Sequence, residues 1–247
     1  GVRGRKPVDL AALEQLMVSF SRLVVEQRWI KEIDINPMLA SPERLIALDA
    51  RVVLHEPSVE AKDLPVLPIR PYPSQYASPW TMKDGTSVMI RPIRPEDEPA
   101  MVKFHGNLSE RSVYLRYLQM LKLSQRVAHE RLTRMCFIDY DREVALVAEQ
   151  KDEKTGEPQI LGVGRLRKLR GVNEGEFAVI VADEFHGRGL GAELVRRLID
   201  IGRREKLDRI VGDVLPDNVT MLQVCEKLGF TLKGDVEDPV VRTELTL

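Results

Sequence analysis

Between Phe177 and Ile201 the apolar positions change their period. Phe177 to Val181 is a short, β-branched, apolar run of the kind that forms a buried strand, whereas Leu190, Leu194, Leu198 and Ile201 recur at helical spacing. Glycines at 187, 189 and 191 stand between them, so the pattern predicts strand, glycine-rich turn, helix. The first N–H groups of that helix have no partner within it and the helix dipole is positive there. Such an end holds a phosphate or pyrophosphate without a charged side chain, and small residues let it come close.

The same reading divides the rest of the chain. Asp9 caps a helix with Leu10, Leu13, Met17, Phe20, Val24 and Trp29 on one face, followed by strands at 33–36 and 45–53 around a turn at Ser41-Pro42-Glu43. Prolines 57, 65, 68, 71, 73 and 79 mark 57–79 as a linker. Ser87 to Arg94 reads as a strand, and Pro95 as the first residue of a helix that buries Ala100, Met101, Phe104 and Leu108. Residues 109–136 read as helical, with Ser109 as cap and with Tyr114, Tyr117 and Leu118 as core and rim packing. Strands over 143–148 and 159–165 pair around a turn at 154–156, and Glu174 to Val181 feeds the glycines. A strand over 209–215 and a helix containing Met221, Val224, Cys225 and Leu228 complete the pattern.

Composition narrows the chemistry. The chain has 247 residues, 43% of them hydrophobic, enough for one large domain or a domain and a fragment. With 37 basic and 38 acidic residues it lacks the basic excess of a nucleic-acid surface. Two cysteines cannot build a disulfide framework or a metal cluster, which fits a reducing cytoplasm, and no run approaches the length of a membrane span. The chain opens on Gly1 without methionine and is read as a piece of something longer.

The glycine turn fits neither familiar nucleotide loop. A Walker loop needs Gly-Lys-Ser/Thr where Gly191 is followed by Ala192 and Glu193, and a dinucleotide fingerprint needs Gly-x-Gly-x-x-Gly. What His186, Gly189 and Gly191 do resemble is the acyl-CoA loop of the GNAT N-acetyltransferases, Arg/Gln-x-x-Gly-x-Gly/Ala, with His186 a departure at its first position. Asn218-x-x-Met221-x-x-Val-Cys-Glu-Lys-Leu-Gly-Phe230 resembles the second signature of that family, with Cys225 where the family has tyrosine. Phe137 to Glu143 and Gly175 to Val179 are similar to a narrower set, bacterial protein lysine acetyltransferases that carry a GNAT domain behind an acyl-CoA synthetase-like region. Glu32 to Ala40 and Ala47 to Arg51 resemble the end of the ATP-grasp domain of NDP-forming acyl-CoA synthetases. There Asn36 and Asp49 match residues that hold magnesium; without the nucleotide-holding body they read as a leftover helix and hairpin.

This resemblance implies an α/β (α+β) GNAT fold, a mixed and mostly antiparallel twisted sheet with flanking helices, preceded by a small α/β remnant of an ATP-grasp domain. The implied domains are residues 1–56, the linker 57–79, and an acetyltransferase domain over 80–247. Acetyl-CoA is the implied cosubstrate. Its contacts fall on Val179, Ile180 and Val181 of the strand, with N–H groups near Val181 polarising the thioester where two strands splay apart. Further contacts fall on His186, Gly187, Arg188, Gly189, Leu190, Gly191 and Ala192 of the loop and helix start, and on Asn218. No metal is implied.

An amine attacks a thioester only when neutral, and a lysine is mostly protonated at pH 7. The resemblance makes Glu176 the general base, prepared by burial; the alternative is a solvated strand-end carboxylate. Cys225 reads as packing, with a thiol proton donor as the alternative. The implied function is acetylation of lysines on other proteins, acyl-CoA synthetases among them. The other reading is a non-catalytic acyl-CoA-sensing module of an ADP-forming acyl-CoA synthetase. Neither nucleic acid nor membrane is an expected partner.

Overall fold

The computed structural model describes residues 7–61, 63–65, 70–151, 156–234 and 239–247. The chain divides into two compact units, Gly1–Pro71 and Tyr72–Leu247. Among the described residues no helix is long and apolar enough to cross a membrane.

In the first unit, α1 (Leu10–Glu26) starts where the Asp9 carboxylate accepts the N–H of Ala12 at 3.0 Å. It ends at Gln27, so Trp29 is not on the helix face expected of it, and among the described residues α1 buries none of its own. Four short strands follow, β1 (Ile30–Asp34), β2 (Met38–Ala40), β3 (Leu45–Ala47) and β4 (Arg51–Leu54). They form nested antiparallel pairs, β2 with β3 inside β1 with β4. The apolar run 45–53 is therefore two strands and not one. Between the two ladders the N–H of Asn36 donates to the carbonyl of Asp49 at 3.2 Å and that of Leu48 to Pro37 at 3.0 Å, which pulls residues 48–50 out of strand geometry. The expected turn is present, held by Ser41 Oγ, which accepts the N–H groups of Glu43 and Arg44.

The second unit is an eight-stranded sheet. Its strands are β5 (Ser78–Thr81), β6 (Ser87–Pro92), β7 (Glu143–Lys151), β8 (Pro158–Lys168), β9 (Glu174–Val181), β10 (Arg209–Val214), β11 (Thr231–Lys233) and β12 (Val241–Thr246). Their spatial order is β11-β12-β10-β9-β8-β7-β6-β5, and every pair is antiparallel except β9 with β10. Residues 72–79, expected to finish the linker, instead supply a 3-10 turn at Ser74–Tyr76 and the start of β5. Pro79 is tolerated because β5 is an edge strand and needs no second ladder.

Helices cover both faces. On one, α6 (Leu190–Arg204) packs Leu190, Leu194, Leu198 and Ile201 against Leu161, Phe177 and Val179. On the other, a 3-10 turn at Pro95–Asp97 runs into α2 (Glu98–Gly106), which joins α5 (His129–Cys136) over Val147, Val163 and Ile180. Burial of these side chains, at about 25 cal/mol per Å² of apolar surface, is the main force holding the layers together. The expected helix over 109–136 is three, α3 (Glu110–Tyr117), α4 (Leu123–Arg126) and α5. Leu118 ends α3 in the left-handed region, at φ +57°, which turns the chain. Of the expected 154–156 turn, Lys154 and Thr155 lie outside the described residues.

Candidate active site

The site begins where two parallel strands part. β9 and β10 pair only at Glu174–Arg209, Gly175–Ile210 and Glu176–Val211. Beyond that rung the buried Phe177 ring occupies the space beside Gly212, where an added Cβ would lie 2.5 Å from the ring. β9 continues to Val181 paired with β8 alone. The opening is a cleft of about 610 Å³, floored by Val179, Ile180 and Val181. The expected splay at Val181 thus starts four residues earlier.

At the far end of β9 a 3-10 turn at Asp183–Phe185 leads into the glycines. Gly189 is the residue before α6 and has φ +89°, a conformation L side chains avoid. The N–H groups of Leu190, Gly191 and Ala192 then have no carbonyl to meet inside the helix. His186, Gly187, Gly189, Leu190, Gly191 and Ala192 all line the cleft. His186 Nε2 lies 2.9 Å from the carbonyl oxygen of Val181, so that nitrogen carries the ring proton and ties the loop back to the strand.

Arg188 is not brought to the cleft. Its guanidinium bonds Asp84 at 2.8 Å and the carbonyl of Glu184 at 2.8 Å, and stacks on Phe185. Asp84 and a face of Phe185 together outbid open solvent for a planar cation.

The opposite wall is α7 (Val219–Lys227), which presents Met221, Val224 and Lys227. Asn218 lines the cleft and also caps this helix, its Oδ1 accepting the N–H of Met221 at 3.3 Å. Cys225 points the other way. It is fully buried in the apolar cluster under α6 and does not line the cleft; burial pushes its thiol up to about 11, against a hydrogen bond to Thr243 that lowers it. Among the described residues no tyrosine lines the cleft either.

Several lining residues were not legible as site residues. Lys83, from the turn between β5 and β6, lays its side chain along Gly189, its Cε 3.3 Å from where a Cβ would sit. Asp183 clamps α3 to the loop by accepting the Ser109 N–H at 2.9 Å and the hydroxyls of Ser109 and Ser112 at 2.5 and 2.8 Å. Burial alone would raise that carboxyl, but these bonds outweigh it and hold Asp183 below the usual carboxylate range. Arg111 faces Asp217 at 4.0 Å.

Glu176 lies on the face of β9 that also carries Ala178 and Ile180, since alternate strand residues share a face. It does not line the cleft but a second cavity of about 550 Å³, with Ala178, Tyr117 and Arg165, and Arg116 lines both spaces. The burial anticipated for Glu176 is absent: its side chain is 36% exposed and pairs with Arg167 across β8 and β9 at 2.6 Å.

These residues suit an acyl-CoA. Free helix amides, Lys83 and Lys227 offer positive potential to its phosphates, and the apolar edge of β9 meets Met221 and Val224 across a slot for its arm.

Residues 87–231 match the acetyltransferase (GNAT) domain family, and residues 1–54 an ATP-grasp domain. A Pseudomonas aeruginosa acetyltransferase is 32% identical over 158 residues, 64% of this chain and 82% of that protein. The beta subunit of an ADP-forming acetate–CoA ligase from Pyrococcus furiosus is 48% identical over 54 residues, 22% of this chain and 23% of that subunit. Among solved structures the GNAT domain of S. lividans PAT is 26% identical and superimposes over 72% of this chain and 100% of its own, at a TM-score of 0.63. The chain belongs to the GNAT acetyltransferases, acyltransferases that use acetyl-CoA.

Proposed function

We propose that the chain acetylates lysine side chains of other proteins, with acyl-CoA synthetases as the first candidates, and that Glu176 is the general base. The observation that carries this is the place of Glu176: on the last rung before the strands part, on the strand that floors the cleft, and in a separate cavity that meets the cleft at Arg116. One space takes the cosubstrate and the other the acceptor.

Val179 to Val181, the amides at the start of α6, Lys83 and Asn218 hold acetyl-CoA, which supplies an acetyl thioester. Glu176 takes a proton from the acceptor ammonium, directly or through one water, and the freed amine attacks the carbonyl carbon. Backbone N–H groups on the edge of β9 that β10 leaves open stabilise the oxygen as charge develops on it. The C–N bond forms, the C–S bond breaks with its electron pair leaving on sulfur, and the second proton shed by the nitrogen goes to the departing sulfur or to water. With Cys225 buried elsewhere, the CoA thiolate leaves as such or takes its proton from water.

Catalysis and not sensing alone is the expectation for such a site. The test is incubation with labelled acetyl-CoA and a panel of free amines, lysine peptides and acyl-CoA synthetases. Label on protein lysine supports the reading; turnover confined to small amines contradicts it.

A further inference from the structure

We infer that the acceptor cavity selects lysines carried on acidic segments and turns away polycationic amines. This rests on the reading of the Glu176 cavity as the acceptor site.

Five arginines and three glutamates line that cavity. Arg165 is taken up by Glu143, and Arg167 by Glu176. Arg116, Arg131 and Arg134 remain, and among the described residues none of the three is ion-paired; only Glu130 opposes them in the lining. Arg116 and Arg131 both lie against the ring of Tyr117, at 5.0 and 5.1 Å from its centroid, which holds two guanidinium groups on one ring. Burial, with the nearby charges of Arg165 and Arg131, holds the Arg116 guanidinium below its ordinary value, although Tyr117 and Glu176 pull the other way.

A carboxylate brought in beside the acceptor lysine relieves this crowding of like charge and meets planar, donor-rich partners. A second consequence concerns the lysine itself. Cations around an ammonium favour its neutral form, so the same arginines that recognise an acidic flank ease removal of the proton by Glu176. A free polyamine brings further positive charges into the same space and pays repulsion at each.

The test uses three lysine peptides of equal length, flanked by Asp and Glu, by Ser and Ala, or by Arg, together with spermidine. The acid-flanked peptide should exceed the arginine-flanked one by about tenfold in kcat/KM at low salt, a gap that shrinks as ionic strength rises, and spermidine should be poorest. Arg134→Glu, at an exposed position, should narrow or reverse the order, and Arg131→Gln should narrow it. Equal kcat/KM for the acid- and arginine-flanked peptides, or an acidic preference unchanged in both variants, overturns the charge selection and leaves lysine acetylation standing. Spermidine as the best acceptor, with the peptides untouched, overturns both.

Discussion

Glu176 and Val211 are the last residues to face one another across β9 and β10. On one side of that rung the sheet is closed, and on the other lies the cleft. The place of Glu176 and the cleft thus meet at one interruption in the sheet, where the Phe177 ring lies against Gly212.

Gly212→Ala should therefore act on stability and on binding together. The new methyl would meet the Phe177 ring at 2.5 Å, and displacing a buried ring costs about 1–3 kcal/mol. A lower melting temperature with weaker acetyl-CoA affinity by calorimetry is expected. An unchanged pair of values would show that the ring does not set the splay.

The glycine loop is best tested at Gly191. An added Cβ there meets only Val181 Cγ2, at 3.8 Å, so Gly191→Glu should fold and yet lose acetyl-CoA binding, because its carboxylate enters the cleft beside the helix amides. At Gly189 any side chain is strained by φ +89°, which would confuse folding with binding. His186→Gln, able to donate to the Val181 carbonyl in the same way, should bind nearly normally.

What the sequence showed best was local. The strand, the glycines and α6 announce themselves by a change of period at a helix start, and the caps Asp9 and Ser109 by residue type and place. What it hid depends on distant partners. The break in the run 45–53 comes from backbone bonds to residues 36 and 37, and Arg188 is drawn away by Asp84, more than 100 residues earlier in the chain. Lys83 enters the site from another strand turn, and Arg167 meets Glu176 only once β8 lies beside β9. No single-strand period carries such facts.

His105 makes a prediction about acid. It is fully buried, among the described residues both ring nitrogens lack a hydrogen-bond partner, and burial, with Arg126, Arg131 and Arg116 nearby, lowers it to about 4 from 6.5. The folded chain therefore resists protonating it, while the unfolded chain protonates it near its ordinary value. Above about pH 6.5 both states hold it neutral and the linkage costs nothing; below that, stability is lost as pH falls toward 4, by order of 3 kcal/mol. His105→Leu should be neutral or stabilising at pH 7 and should flatten that acid-side loss in a series of thermal melts. An identical pH dependence in the variant would contradict the assignment.

Cys225→Ala tests the leaving-group step. The thiol is buried and outside the cleft, so the variant should lose stability, by about 1 kcal/mol for the removed sulfur, and keep kcat within a few-fold of wild type. A dead but folded Cys225→Ala would mean that the thiol delivers the proton after all.

The central claim is that Glu176 takes the proton. Its most direct test is kcat/KM against pH, over about pH 6 to 9, for the wild type and Glu176→Gln with one good lysine acceptor. The amide keeps the shape and loses the proton affinity, so acetyl-CoA affinity should hardly change while the rate falls by roughly 10²–10⁴-fold. Dividing one profile by the other removes the acceptor amine's own titration, and the ratio should favour the wild type by that factor across the range. A Glu176→Gln variant that matches the wild-type rate across that range would contradict the account.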